Sequence, residues 1–199
     1  LRAFVGEERH AGMGWLARDP ERRSDPRRVL PGARSVVVVG AAYGGEPGSV
    51  ARFARSLDYH DVLLPGVSAL ARELGDPDAR VYVDTGPVME KVWGVRAGIG
   101  WLGRQSHLVS RAHGCWLLLA VVVTRAEVET SQPAQDRCGT CTRCLEACPT
   151  GAVVYDGDGP PRFDARLCRS YLTIEHRGPI PPELRPTLGT GLFGCDLCL

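Results

Sequence analysis

Apolar residues fall along this chain in two rhythms. Ser35-Val36-Val37-Val38-Val39 is an unbroken β-branched run of the kind found in strands covered on both faces. Gly40, Gly44, Gly45 and Gly48 follow it as a flexible loop. Within Val50 to Leu74 the period lengthens: Leu63, Val67, Leu70, Ala71 and Leu74 take helical spacing, and Gly75 ends the helix. Arg80-Val81-Tyr82-Val83-Asp84 returns to strand character, and Pro87 stands where the first residue of another helix is expected. A third strand is expected at Cys115 to Val123. Strands alternating with helices predict an α/β domain over residues 1–128. Arg18 to Arg28, charged and interrupted by prolines, reads as surface loop, and Glu127 to Asp136 reads as a polar linker into a second unit, residues 129–199.

Composition adds little until the cysteines are counted. With 44% hydrophobic residues among 199, the chain can bury one sizeable core or two unequal ones. Its longest apolar stretch, Trp116 to Val123, is far short of the roughly 20 residues a membrane helix needs. No charged-then-apolar leader opens the chain, so a soluble protein in the cytoplasm is expected. Residues 1–128 carry 17 basic and 14 acidic groups, and residues 129–199 carry 7 and 9. A polyanion would therefore have to be held by a local patch rather than by bulk charge.

Seven of the eight cysteines lie from Cys138 onward. Without a signal peptide, and with CxxC spacing, metal binding is preferred over disulfides. Cys138, Cys141, Cys144, Cys148 and Pro149 make C-x2-C-x2-C-x3-C-P, the spacing of bacterial ferredoxins. Short loops wrap three thiolates around one cube, while the fourth cysteine, carried away by a helical turn, ligates the other cluster. A zinc site wants two ligand pairs for one tetrahedral ion and has no use for a fourth cysteine followed by proline. Crossing of this kind demands a partner motif downstream; Cys195-Asp196-Leu197-Cys198 begins one, with Cys168 between the two. The expected assignment is Cys138, Cys141 and Cys144 to the first cluster, and Cys148, Cys168, Cys195 and Cys198 to the second. A fourth ligand for the first cluster is expected past Leu199, and a start at Leu1 rather than Met also reads as a fragment. Cys115, in an apolar run, reads as a buried, inert thiol.

Beyond the cysteine spacing, several separated motifs resemble one family. Asp164 to Glu175, Gly178-Pro179-Ile180-Pro181, Leu184-Arg185-Pro186 and Gly194 to Cys198 are similar to epoxyqueuosine reductase. So are Leu30 to Val36, Asp58-Tyr59-His60-Asp61, Val83 to Val88 and Gly100-Trp101-Leu102-Gly103-Arg104, in the family's order. The resemblance implies a cobalamin-dependent oxidoreductase that removes the epoxide oxygen from epoxyqueuosine at the tRNA wobble position. It implies an α/β corrinoid-binding catalytic domain against a ferredoxin-like α+β module with two 4Fe–4S clusters, the module being incomplete at its carboxyl end. The expected partners are a tRNA substrate and a low-potential electron donor, for a monomer that engages no membrane. Two departures stand out: the family usually has Lys, Asn and Thr where this chain has Arg104, Gln105 and Ser106, and commonly Ser at Cys115.

Epoxide removal consumes two electrons and two protons, and Asp84 is the expected catalytic proton donor. It sits at the carboxyl end of a strand, where open α/β sheets place their ligand crevice. The competing reading is a turn or cap residue ahead of the Pro87 helix. His60 faces the cofactor or is simply a hydrogen-bonded histidine. Gly103 with Arg104, Gln105, Ser106 and His107 forms a polar turn that holds the corrinoid's amide periphery, or a plain solvated loop. Ser170 and Tyr171 lie where cofactor and clusters meet in the family, with ordinary core as the alternative for Tyr171. Arg166, Arg169, Arg177 and Arg185 form a tRNA phosphate patch or a solvated mixed-charge face. Two other functions compete: a corrinoid iron–sulfur reductase of the dehalogenase kind acting on a small molecule, and a non-catalytic electron carrier. A carrier needs no α/β pocket.

Overall fold

The computed structural model describes residues 1–155 and 161–199. Three short helices, α1 (Arg2–Gly6), α2 (Gly14–Ala17) and α3 (Pro20–Ser24), lead into β1 (Ser35–Ala42). Next come α4 (Tyr59–Glu73), β2 (Arg80–Tyr82) and α5 (Glu90–Arg96). A hairpin of β3 (Trp101–Leu102) and β4 (Leu108–Val109) precedes β5 (Leu117–Thr124). After the linker follow α6 (Arg143–Glu146), the paired strands β6 (Val153–Val154) and β7 (Arg162–Phe163), α7 (Arg169–Ile174) and α8 (Arg185–Leu188).

The valine run works as the hydrophobic pattern predicts. Successive side chains of β1 point to opposite faces, so Val36 and Val38 join Val29, Leu30, Val88, Val121, Val123 and Trp93 on one side of the sheet. Val37 and Val39 join Val67, Ala71, Val83, Ala120, Val122 and Leu63 on the other. Val121, Val122 and Val123 are fully buried, and each contributes about 1.5–3 kcal/mol by leaving water. Strand β5 lies at the centre, with β1 on one side and β2 on the other, both antiparallel to it. The crevice rule for parallel sheets therefore does not apply, yet the same edge arises by another route. Because β1 and β2 both oppose β5, both run toward its amino end: β1 finishes opposite Leu117 and β2 opposite Val121, and Asp84 follows β2 toward that edge.

Two local expectations are corrected. Arg18 to Arg28 is not plain loop: Asp19 accepts a hydrogen bond from Arg22 N at 2.9 Å and starts α3, and Asp25 caps a 3-10 turn over Pro26–Arg28. Pro87 does not begin the next helix, which starts at Glu90. Val88 is drawn into the core, and Gly86 lies so close to Tyr82 that a Cβ there would sit 2.3 Å from the ring, so the chain stays in a turn until Met89.

The cysteine-bearing segment is joined to the sheet by backbone. Ala51 N donates to Phe193 O at 2.8 Å, Leu192 N to Ser49 O at 2.7 Å, and Arg52 N to Asp196 Oδ2 at 2.9 Å. Its own core, Ala165, Tyr171 and Leu172, takes in Phe4, Ala11 and Met13 from the start of the chain. Among the described residues no helix is long and apolar enough to cross a membrane.

Candidate active site and cysteine cavity

Cys148, Cys168, Cys195 and Cys198 line one cavity of about 310 Å³, together with Ser170 and Tyr171. Burial pushes the Cys198 thiol up to about 12, and the neighbouring Cys168, Cys195, Cys148 and Cys144 add to it. Cys168 is raised the same way, by burial and then by Cys195 and Cys148 despite backbone N–H groups of Tyr171 and Ser170. At Cys148 burial is outweighed by hydrogen bonds from Thr150, Ala152 and Val153, which hold its thiol below the ordinary value. Such a quartet resists ionising together unless cationic iron lies among the thiolates, which is how iron–sulfur clusters are held. Among the described residues no three His, Cys, Asp or Glu side chains group so as to hold a single metal ion. The quartet expected for the second cluster lines this one cavity.

Cys138, Cys141 and Cys144 form a second neighbourhood around α6. Cys144 is raised by burial and by the charges of Cys138 and Cys141. Arg104 fastens this loop: its guanidinium donates to Cys141 O at 2.6 Å and Gly139 O at 2.5 Å and stacks on Tyr155 at 4.0 Å. Arg104 lines neither cavity, and its planar fork is turned to two backbone carbonyls. Ser106 likewise lines neither, having a left-handed φ of 65° in the hairpin turn.

A larger cleft of about 660 Å³ opens at the sheet edge, walled by Tyr43, Phe53, Leu57, Tyr59, His60, Asp84, Glu90, Lys91, His107, Cys115 and Leu117 to Leu119. Tyr43, Phe53, His107, Ile174 and Glu175 belong to both linings, so the cleft and the cysteine cavity share a wall. Asp84 is exposed to the cleft in a left-handed turn, φ 57°, and caps no helix; Tyr59 Oη donates to its Oδ2 at 2.7 Å. Burial, and then that hydrogen bond, raise the Tyr59 pKa, so the phenol keeps its proton. Asp84 caps no helix but does stand in a turn, as part of the competing reading has it, with its carboxyl group held by Tyr59 on the cleft wall.

His60 is a hydrogen-bonded histidine on the cleft wall. Asp58 Oδ1 accepts from His60 N at 2.9 Å and lies 2.7 Å from Nδ1, while the ring stacks on Tyr59 and still lines the cleft. His107 is held neutral, its pKa driven well down by the Lys91 charge and then by burial. Lys91 is exposed and opens onto the cleft; the protein mass packed around it lowers its pKa although Asp84 and Glu90 pull it up. Gln105 faces the cysteine cavity and donates from Nε2 to Cys115 Sγ at 3.0 Å. Cys115 itself is only half-buried, on the cleft wall rather than in the interior expected of it. Tyr171 is core and cavity wall at once, its hydroxyl accepting from Gly12 N at 2.9 Å.

Three of the four candidate phosphate-binding arginines are engaged internally. Arg166 pairs with Asp164 at 2.6 Å, Arg169 donates to Leu188 O, and Arg185 Nε donates to Ile180 O at 2.8 Å. Arg166, Arg177 and Arg185 are exposed. Sequence reasoning missed Glu90 and Lys91, whose place six and seven residues after Asp84 carries no spacing signal. It named Tyr59 only inside the Asp58 to Asp61 motif, without a role.

With this geometry in hand, the comparisons with known proteins are specific. Residues 23–85 match the family described as "Epoxyqueuosine reductase QueG, DUF1730", and residues 137–199 match "4Fe-4S double cluster binding domain". The chain is 40% identical over its whole length to the epoxyqueuosine reductase of Synechocystis sp., of which it covers 71%. It is similar to a crystal structure of epoxyqueuosine reductase with an epoxyqueuosine-modified tRNA-Tyr stem loop, with TM-score 0.85 and 33% identity over 99% of this chain. It is also similar to the Bacillus subtilis enzyme, solved with an aspartate-bearing catalytic loop swung out of the active site, with TM-score 0.82 and 32% identity over 99% of this chain. The chain spans about half the length of those solved chains, 55% in each case.

Proposed function

Because the chain belongs to the epoxyqueuosine reductase family, we propose that it reduces epoxyqueuosine to queuosine at the wobble position of tRNA, with two 4Fe–4S clusters and a cobalamin as redox groups. The observation that carries this reading is the wall shared by the cysteine cavity and the Asp84 cleft. Cys148, Cys168, Cys195 and Cys198 hold one cluster, and Cys138, Cys141 and Cys144 hold three corners of the other. The cleft fits a corrin by its lining: Phe53, Leu57 and Leu117 to Leu119 offer apolar surface, and His60 and neutral His107 offer polar edges. When bound, these groups supply low-potential electrons to the epoxide.

The chain's own task is to orient the substrate and move protons. Asp84 delivers a proton to the oxygen released as the epoxide opens. Tyr59 holds one oxygen of that carboxyl group, which fixes its orientation and leaves the other for the proton. The apolar wall excludes water, which strengthens these short-range interactions. A relative's catalytic-loop aspartate and a relative's tRNA stem loop support the assignment of Asp84 and of the substrate. A plain electron carrier has no use for the cleft, and a small-molecule reductase gains nothing from the tRNA-bound relative. A tRNA substrate also puts the reaction in the cytoplasm.

The test is direct. The complete protein, reconstituted anaerobically with iron, sulfide and cobalamin and reduced chemically, is mixed with tRNA carrying epoxyqueuosine, and nucleosides are quantified by mass spectrometry. Conversion to queuosine is expected; loaded and reduced protein that leaves epoxyqueuosine intact overturns the reading.

A further inference from the structure

Each epoxide reduced takes up two electrons from the low-potential donor and two protons, and its oxygen leaves as water. Asp84 carries one proton at a time. We propose that Glu90, at the start of α5, is the positioning residue that reloads Asp84 with a proton, an inference that rests on the reductase reading above.

Glu90 lines the same cleft as Asp84, and its Oε1 is buried without a hydrogen-bond partner among the described residues. A buried carboxyl oxygen with no donor is costly as an anion and far less so as an acid. Consistent with this, burial and then the Asp84 charge raise Glu90 to about 7, against the opposing pull of its own backbone N–H, Lys91 and Arg23. The groups around it come from several elements. Tyr59 on α4 is committed to Asp84, Lys91 follows Glu90 on α5, and His107 after β3 is neutral under the Lys91 charge. Arg23 on α3 is stacked on Trp15 at 4.9 Å and donates to Gly86 O at 3.3 Å, in the turn that carries Asp84. Two carboxyl groups whose surroundings differ this much divide the labour of acid and base.

The step balances simply. Asp84 gives its proton to the departing oxygen and becomes a carboxylate. The Glu90 carboxyl O–H then breaks and the Asp84 O–H forms, the proton crossing the cleft that both side chains line. Glu90 is left as an anion beside Lys91, and water at the mouth of the cleft returns its proton.

Two readouts on the cofactor-loaded full-length protein test this. In infrared titration, a protonated carboxyl band that disappears near neutral pH is expected in the parent protein and absent in Glu90→Gln. In Asp84→Asn the same band should titrate at lower pH, because a neighbouring negative charge is gone. No such band, or a band indifferent to Asp84→Asn, overturns the proposal whether or not the protein turns over. In steady-state reduction of epoxyqueuosine-containing tRNA, Glu90→Gln should lose roughly tenfold or more in kcat below about pH 7, where the parent's Glu90 holds its proton, and less above it, with partial recovery in Glu90→Asp. An unchanged pH–rate profile in Glu90→Gln overturns it too. A parent protein that shows the coupled band but reduces no epoxyqueuosine supports the proton coupling and counts against the reductase reading alone.

Discussion

Tyr59 Oη donates to Asp84 Oδ2 at 2.7 Å, linking the first residue of α4 to the turn after β2. The two residues are 25 positions apart, and the contact sets which way the carboxyl group faces. Tyr59→Phe removes one hydrogen bond to a charged or acidic group, so a loss of roughly 3- to 10-fold in single-turnover rate is expected. Rapid-quench analysis of pre-reduced protein with epoxyqueuosine-containing tRNA measures it.

Asp84→Asn keeps the size and hydrogen-bonding capacity of the side chain but has no acidic proton. Cluster content, cobalamin binding and tRNA affinity should be retained while single-turnover reduction slows by roughly 10²–10⁴. A variant that reacts at the parent rate would remove Asp84 from the mechanism.

Replacing Cys168 by Ala takes one corner from the quartet of Cys148, Cys168, Cys195 and Cys198. Iron in the complete protein should fall from about eight atoms toward about four, with the remaining cluster still visible by electron paramagnetic resonance after reduction. Full retention of both clusters would break the assignment of Cys168.

Glu90 also makes stability depend on pH with a definite sign. The unfolded chain releases this proton near the ordinary value of 4.5, and the folded protein near 7. Between those values the native state holds more protons, so this contribution to stability falls as pH rises through the window and is flat outside it. The total loss is on the order of 3 kcal/mol at about 1.4 kcal/mol per unit. Urea denaturation of parent and Glu90→Gln proteins from pH 4 to 8 should show the parent losing ground to the variant across that window.

Phosphate contact releases counterions, so arginines that touch tRNA set the salt slope of binding. Arg166, Arg177 and Arg185 are exposed, whereas Arg169 is half-buried and turned to Leu188 O; Arg177 and Arg185 make the test pair because Arg166 is paired with the Asp164 carboxylate. Arg177→Glu combined with Arg185→Glu should weaken tRNA binding and flatten the log–log salt slope by about 0.7–0.9 per lost contact. An unchanged slope in fluorescence anisotropy places the phosphate contacts elsewhere.

Local chemistry was legible in the chain itself. The β-branched run at Val36 to Val39 determined a strand covered on both faces, because alternation sends its valines to two cores. The ferredoxin spacing determined which cysteines part company at Cys148, because three residues of helix carry it away from its neighbours. What no local pattern contains is the meeting of distant segments. Only the antiparallel pairing of β1 and β2 with β5 brings Tyr43, Asp84 and Leu117 to one edge. Only folding turns Arg104 away from the cleft toward the carbonyls of Gly139 and Cys141, and sets Glu90, its Oε1 buried, on the cleft wall with Asp84. Burial and charge coupling depend on which atoms become neighbours in three dimensions, so the character of these side chains was decided by the tertiary structure.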